Sequence, residues 1–190
     1  MPTPGRSNVG DRLHVCVGAD CNNNCIFCME DDRASRRERL LAQTDEDVRR
    51  MMTVDPSVRE VMFTSGEPTL HPRLPQYVAM ARDMGFDIVG MITNGRRLGY
   101  RPYLRSLLEA GLNHILISIH GPDAATHDAL VRTKGAFQQA LVGLANLVLL
   151  RREFQVKVHT SFVVNKRNYK LFREFFDAMR PFRIDQHVFN

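Results

Sequence analysis

Short apolar stretches alternate with longer amphipathic ones along the whole chain. The short ones are Leu13–Val17, Glu60–Thr64, Asp87–Thr93, His114–Ile119, Gln155–Val164 and Ile184–Phe189. Rich in β-branched residues, they read as strands. Their apolar cores predict burial on both faces, as parallel sheets require. Between them, residues near Thr44–Met52, Leu74–Met84, Tyr103–Ala110, Phe137–Leu150 and Tyr169–Met179 follow helical patterns. Thr44 supplies a capping side chain, and Asp45, Glu46 and Asp47 put acids in the first turn. Gly85 and Gly111 follow helix ends, where glycine takes a left-handed cap at little cost. Six such strands are too few for a closed eight-stranded barrel, which takes about 250 residues. The pattern predicts an α/β fold, an open partial (β/α)6 TIM-like barrel over residues 13–190, after a loose Pro- and Gly-containing N-terminal arm at 1–12. Functional residues should then follow the strands, at their C-terminal ends.

Composition narrows the classes. With 190 residues, 44% of them hydrophobic, the chain can bury the core of one domain. No apolar run approaches the ~18–20 residues of a membrane span. The longest, around Ala140–Leu150, is interrupted by Gly143 and Asn146 and stopped by Arg151 and Arg152. The first residues lack the apolar centre of a signal peptide, so a cytoplasmic setting with reduced thiols is expected. The net charge is +5. The densest basic run, Arg33 to Arg39, is diluted by Glu30, Asp31, Asp32 and Glu38, and no aromatic residue interleaves with it. A solvated face fits it better than a nucleic-acid surface. A basic face also suits an acidic electron donor.

Three of the four cysteines fall in one loop directly after the first strand, Cys21-Asn22-Asn23-Asn24-Cys25-Ile26-Phe27-Cys28. A closed structural metal site wants four protein ligands. Three thiolates suit a [4Fe–4S] cluster with one iron left for another ligand. A zinc knuckle completed by His14 or Cys16 and half of a ferredoxin-like pair use the same residue types. The ferredoxin reading needs a further cysteine, and none follows Cys28. Cys16 alternates with Val15 and Val17, so it belongs to the strand, where a buried thiol is an ordinary core residue.

The spacing, with aromatic Phe27 before the last cysteine, resembles the cluster motif of the radical S-adenosylmethionine (SAM) superfamily. The loop after the second strand, Ser65-Gly66-Glu67-Pro68, is similar to that family's Gly-Gly-Glu-Pro motif, with serine replacing the first glycine. The resemblance implies that Cys21, Cys25 and Cys28 ligate a [4Fe–4S] cluster and that Phe27 cradles adenine. It implies that Ser65, Gly66, Glu67 and Pro68 hold the methionyl ammonium of SAM. Gly66 lets the backbone approach, Pro68 fixes the turn and Glu67 supplies the anion. Thr93-Asn94-Gly95 matches a family tripeptide and equally an ordinary turn. After the fourth strand, Ser118 is implied to bond the ribose or carboxylate of SAM. Arg132, with Lys134 as rival, is the candidate fork for that carboxylate. His120 reads either as an acid, base or donor facing substrate, or as a brace for its loop. His127 reads as a helix-start residue, and His114 and His159 as strand positions. Asn165 either meets the ribose or, like Asn168, caps the next helix.

Resemblance across nearly the whole chain implies an oxidoreductase of this superfamily. A reduced cluster would cleave SAM to a 5′-deoxyadenosyl radical that abstracts hydrogen from an unidentified substrate. A low-potential donor such as flavodoxin or ferredoxin is the implied partner. The alternatives are a non-enzymatic iron–sulfur electron-transfer or metal-binding module, or an incomplete scaffold that needs a partner. The edge of the last strand is expected to be covered by substrate, another subunit or further sequence.

Overall fold

The computed structural model describes residues 6–9, 12–29, 38, 40, 43–53 and 57–190. The basic run from Arg33 to Arg39 falls almost wholly outside them. Among the described residues seven strands form one sheet in sequential order. They are β1 (Arg6–Val9), β2 (Arg12–Cys16), β3 (Glu60–Thr64), β4 (Ile88–Thr93), β5 (His114–Ser118), β6 (Lys157–Phe162) and β7 (Gln186–Phe189). From β2 to β7 every neighbouring pair is parallel. Six parallel strands alternating with helices, in an open sheet, are the architecture the pattern predicts. The helices with described bounds are α1 (Asp45–Met52), α2 (Leu74–Asp83), α3 (Arg101–Glu109), α4 (Ala124–Val131), α5 (Ala136–Leu150) and α6 (Phe172–Met179).

Two elements lie outside the sequence pattern. Residues 6–9, within the segment read as a loose arm, pair antiparallel with β2 as β1. Helix α4 has almost no amphipathic stripe. It is started instead by Asp123, whose carboxylate accepts from Thr126 N–H at 2.8 Å. Helix α1 carries a capping box: Asp47 N–H donates to Thr44 Oγ1 and Thr44 N–H to the Asp47 carboxylate.

The two sheet faces differ. Leu13, Val15, Val61, Phe63, Val89, Met91, Ile115, Ile117, Val158 and Phe162 are fully buried in the hydrophobic core. The alternate residues His14, Cys16, Thr64, Ile92, Leu116, Ser118 and His159 are half-buried on the other, concave side. Burial on both faces therefore holds only in part: Met62, His114 and Ser161 are buried on that side too, while its other residues stay half-buried. Cys16 is corrected with it: the thiol lies on the concave face and not in the core. The polar interruptions of the longest apolar run are contact points. A Cβ on Gly143 would come within 2.5 Å of the Gly95 carbonyl oxygen. Asn146 Nδ2 donates to the carbonyls of Leu98 and Gly99. Helix α5 thereby holds the turn that follows β4 close to the strand exits.

Candidate active site

The cysteine loop leaves β2 and runs along the C-terminal rim of the sheet. Asn24 N–H donates to the Val131 carbonyl and Ile26 N–H to the Leu130 carbonyl, at 2.9 and 3.0 Å. These carbonyls end α4, where intrahelical donors have run out. On its other flank, the Arg96 guanidinium donates to the Asn22 carbonyl and, at 3.0 Å, to Asn23 Oδ1. Asn94 Nδ2 reaches Asn22 Oδ1 at 2.6 Å. The loop is thus pinned to α4 and to the β4 exit by partners more than seventy residues away, as for Asn22 and Arg96.

Cys21, Cys25 and Cys28 are all half-buried. Asn23 N–H points at Cys21 Sγ from 3.4 Å. Among the described residues no group of three His, Cys, Asp or Glu side chains is arranged to hold a single metal ion. Cysteines of a [4Fe–4S] cluster bind separate irons, so a cluster does not call for three thiols converging on one ion.

The loop after β3 meets the cysteine loop at Asp20. Glu67 N–H donates to the Asp20 carbonyl at 2.8 Å. A Cβ on Gly66 would lie 2.5 Å from that same oxygen, and Gly66 has φ of 57°. Only glycine fits there. Ser65 also sits in the left-handed region, at φ 77°, the conformation for which glycine is the relaxed choice. Pro68 opens a short 3-10 turn, Pro68–Leu70.

Glu67 is buried, and its carboxylate is a hub. Oε1 accepts from Thr69 N–H (3.1 Å), Thr69 Oγ1 (2.6 Å) and Thr93 Oγ1 (2.6 Å), and Oε2 from Asn94 N–H (2.7 Å). Burial pushes its pKa up, against these four hydrogen bonds, which pull it down. The side chain ties the β3 loop to the β4 exit and also lines a cavity of about 220 Å³ with Asp20, Gln43 and His71.

His120 is used as a brace. Its Nδ1 accepts from Val163 N–H at 3.1 Å, and its own backbone N–H donates to His127 Nδ1 at 3.1 Å. Asn168 Nδ2 donates to the carbonyls of both His120 and Val163. Burial, with the neighbouring His127, pulls the His120 pKa down to about 3, so the ring stays neutral. Phe27 packs on it edge to face, with centroids 4.7 Å apart. Asn165 is occupied locally, accepting from Arg167 N–H and donating to the Val163 carbonyl. Ser118 ends β5 on the concave side in register with Ser161. Arg132 and Lys134 are exposed. Arg132 caps α4 at φ 50°, next to the carbonyl that anchors the cysteine loop.

The structure therefore gathers Cys21, Cys25, Cys28, Phe27, Ser65, Gly66, Glu67, Pro68, Asn94 and Arg132 around one rim. It gives His120 and Asn165 to loop bracing. Sequence reasoning missed Arg96, Asn22 and Thr69 and read Asn168 only as a helix cap, because their roles rest on contacts between distant segments. Thr93 and Asn94, read as either lining the site or forming an ordinary turn, both bond the Glu67 carboxylate.

A model of the radical SAM superfamily matches residues 15–179. A 7,8-dihydro-6-hydroxymethylpterin dimethyltransferase of Methanocaldococcus jannaschii is 37% identical over 62% of this chain and 24% of its own length. A GTP 3′,8-cyclase of Chlorobaculum tepidum is 30% identical over 79% of this chain and 44% of its own. The chain thus spans less than half the length of these relatives. The structure of Streptococcus suis SuiB bound to S-adenosylmethionine superposes with a TM-score of 0.73 at 17% identity, covering 94% of this chain and 40% of SuiB. No described helix is long and apolar enough to cross a membrane.

Proposed function

Because the chain belongs to the radical SAM superfamily, whose enzymes work with a [4Fe–4S] cluster and SAM, we propose that it forms the catalytic core of an enzyme that abstracts hydrogen from a substrate held on its concave side. The observation that carries this reading is the joining of the two motif loops at Asp20, which sets the start of the cysteine loop against the Ser65–Pro68 turn at one sheet rim. When bound, the reduced cluster and SAM supply a 5′-deoxyadenosyl radical able to take hydrogen from an unactivated carbon.

The residues divide the remaining work. Cys21, Cys25 and Cys28 hold the cluster, and the pins from Arg96, Asn94 and α4 keep their spacing. Ser65, Gly66 and Pro68 present backbone groups to the methionyl ammonium of SAM, with the Glu67 carboxylate behind them as fixed negative charge. Arg132, with Lys134 beside it, faces the carboxylate. Phe27, held by the neutral His120 ring, forms an apolar wall for adenine. Ser118 would bond the ribose or carboxylate of SAM, and Asn94 lines the same rim while holding Asn22. The His120–Asn168–Val163 brace closes the exits of β5 and β6 and limits water entry. Exposed Arg97, Arg132 and Lys134 around the cysteine loop suit an acidic donor such as flavodoxin or ferredoxin. A reducing compartment such as the cytoplasm belongs to the same proposal.

Anaerobic reconstitution with iron and sulfide, followed by dithionite and SAM, tests it. Formation of 5′-deoxyadenosine is expected, and it should vanish in Cys25→Ala. A protein that builds the cluster but never yields 5′-deoxyadenosine would be an electron carrier.

A further inference from the structure

The concave wall carries a second polar network that the cofactor site does not use. Val158 and Phe162 of β6 enter the buried core, so His159 between them faces the concave side with Lys157 and Ser161. His114 on β5 and Glu60 on β3 share that side, because Ile115 and Val61 next to them are buried in the core. Arg12 Nε donates to Glu60 Oε1 at 2.7 Å. His114 Nδ1 lies 3.3 Å from the same oxygen, and His114 Nε2 lies 3.0 Å from His159 Nδ1. Four side chains from four strands form one line.

The line has a direction. Glu60 Oε1 already accepts from Arg12 Nε, and facing that oxygen His114 carries its proton on Nδ1. Neutral His114 then accepts at Nε2, and His159 must donate from Nδ1. That leaves His159 Nε2 with a lone pair. No described residue donates to it. Nor is it sealed in, since His127 Nε2 is the buried side-chain nitrogen without a partner among the described residues. Burial lowers the pKa of His114, with His159 the next cause, and burial lowers that of His159 too, so both rings are neutral near pH 7. His159 lies two residues before Ser161, which is level with Ser118. It is therefore about 7 Å along the strand from that rim.

We propose that Arg12, Glu60 and His114 lock His159 in its Nδ1–H tautomer, so that Nε2 stands as the proton acceptor for an O–H or N–H group of the substrate. This rests on the concave side being the substrate side. The substrate class it selects is one with a protic group beside the reacting carbon. On transfer, the substrate's O–H or N–H bond breaks and its electron pair stays on oxygen or nitrogen. The proton bonds to Nε2, and the resulting imidazolium draws its Nδ1–H toward His114, with Glu60 as counter-charge. Glu60 and Asp185 favour the imidazolium, whereas Lys157 and Arg12 oppose it. His14, on the same face, feels the Arg12–Glu60 pair. His114, Glu60 and Arg12 are positioning residues, and His159 is the group that touches substrate.

Long-range proton–nitrogen NMR on reconstituted protein with nitrogen-15 histidine, oxidised and with SAM bound, reads the tautomer directly. His159 Nε2 is expected in the pyridine-like region and Nδ1 in the pyrrole-like region. Free imidazole side chains prefer the opposite, so Glu60→Ala and His114→Phe should each shift the majority proton to Nε2. Diethyl pyrocarbonate, which attacks unprotonated ring nitrogens, should modify His159 while sparing His114 and His120, as read by peptide mass. A proton on Nε2 in the native protein, a tautomer indifferent to both variants, or an unmodified His159 would each overturn the proposal. Failure of the wider reading shows differently, as absent 5′-deoxyadenosine from a protein whose His159 tautomer is as described.

Discussion

Truncating Glu67 to alanine removes one acceptor group and strands four donors. Thr69 and Thr93 carry two of these on hydroxyls. The Thr69 hydroxyl can re-aim, whereas Thr93 Oγ1 is held by Gly95 N–H at 3.1 Å. The other two are backbone N–H groups of Thr69 and Asn94, both buried. Each buried orphan amide costs about 1–3 kcal/mol, so the pair costs about 2–6 kcal/mol. Relief of the buried carboxylate's desolvation offsets part of this. The expected net loss is about 2–4 kcal/mol. Glu67→Gln should cost about 1–3 kcal/mol, since one amide nitrogen would face a single donor, Asn94 N–H. Anaerobic urea denaturation of cluster-free protein, followed by far-ultraviolet circular dichroism, measures both without cofactor. Because Asn94 also holds Asn22, the alanine variant should in addition lose its reconstituted cluster faster than wild type. If Glu67 served only as a counter-charge for SAM, folding stability would be unchanged and SAM affinity alone would fall. That result would refute the hub argument.

Alanine at Cys21, Cys25 or Cys28 should abolish cluster absorbance, whereas Cys16→Ala should keep it at about four irons per chain; loss in Cys16→Ala would show a fourth ligand. Gly66→Ala should destabilise by at least about 2 kcal/mol, because its Cβ would press on the Asp20 carbonyl at positive φ, while Ser65→Gly should stabilise by up to about 1 kcal/mol; equal urea midpoints would contradict both. The rings of His120 and His127, pulled down to about 3 and about 4 chiefly by burial, stay unprotonated in the fold while the unfolded chain takes up protons below about pH 6.5. Stability from these two groups is thus complete above about pH 6.5 and falls as pH drops toward 4, by up to ~1.4 kcal/mol per unit for each. His127→Phe should flatten that slope by one group's share, as read from denaturation midpoints across pH; an unchanged slope would count against burial as the cause.

How far the chain is legible by itself depends on the range of each determinant. Strand and helix positions, the capping box at Thr44 and the order of the two motif loops are local properties, and residue types over a few positions decide them. Cys21-x3-Cys25-x2-Cys28 is equally local, so the chemical class could be read from it. Helix α4 escaped because its cap, and not an apolar stripe, defines it. The fates of single polar groups are another matter. Glu67 finds Thr93 and Asn94 26 and 27 residues onward. Arg96 finds Asn22 74 residues back, and His114 finds Glu60 and His159 on strands brought together only by the sheet. A carboxylate or imidazole looks the same in sequence whether its lone pairs are spent on the scaffold or left for a ligand. Hydrogen bonds are satisfied in space, and only the parallel sheet, setting distant strand exits side by side, decides which group is consumed and which is offered.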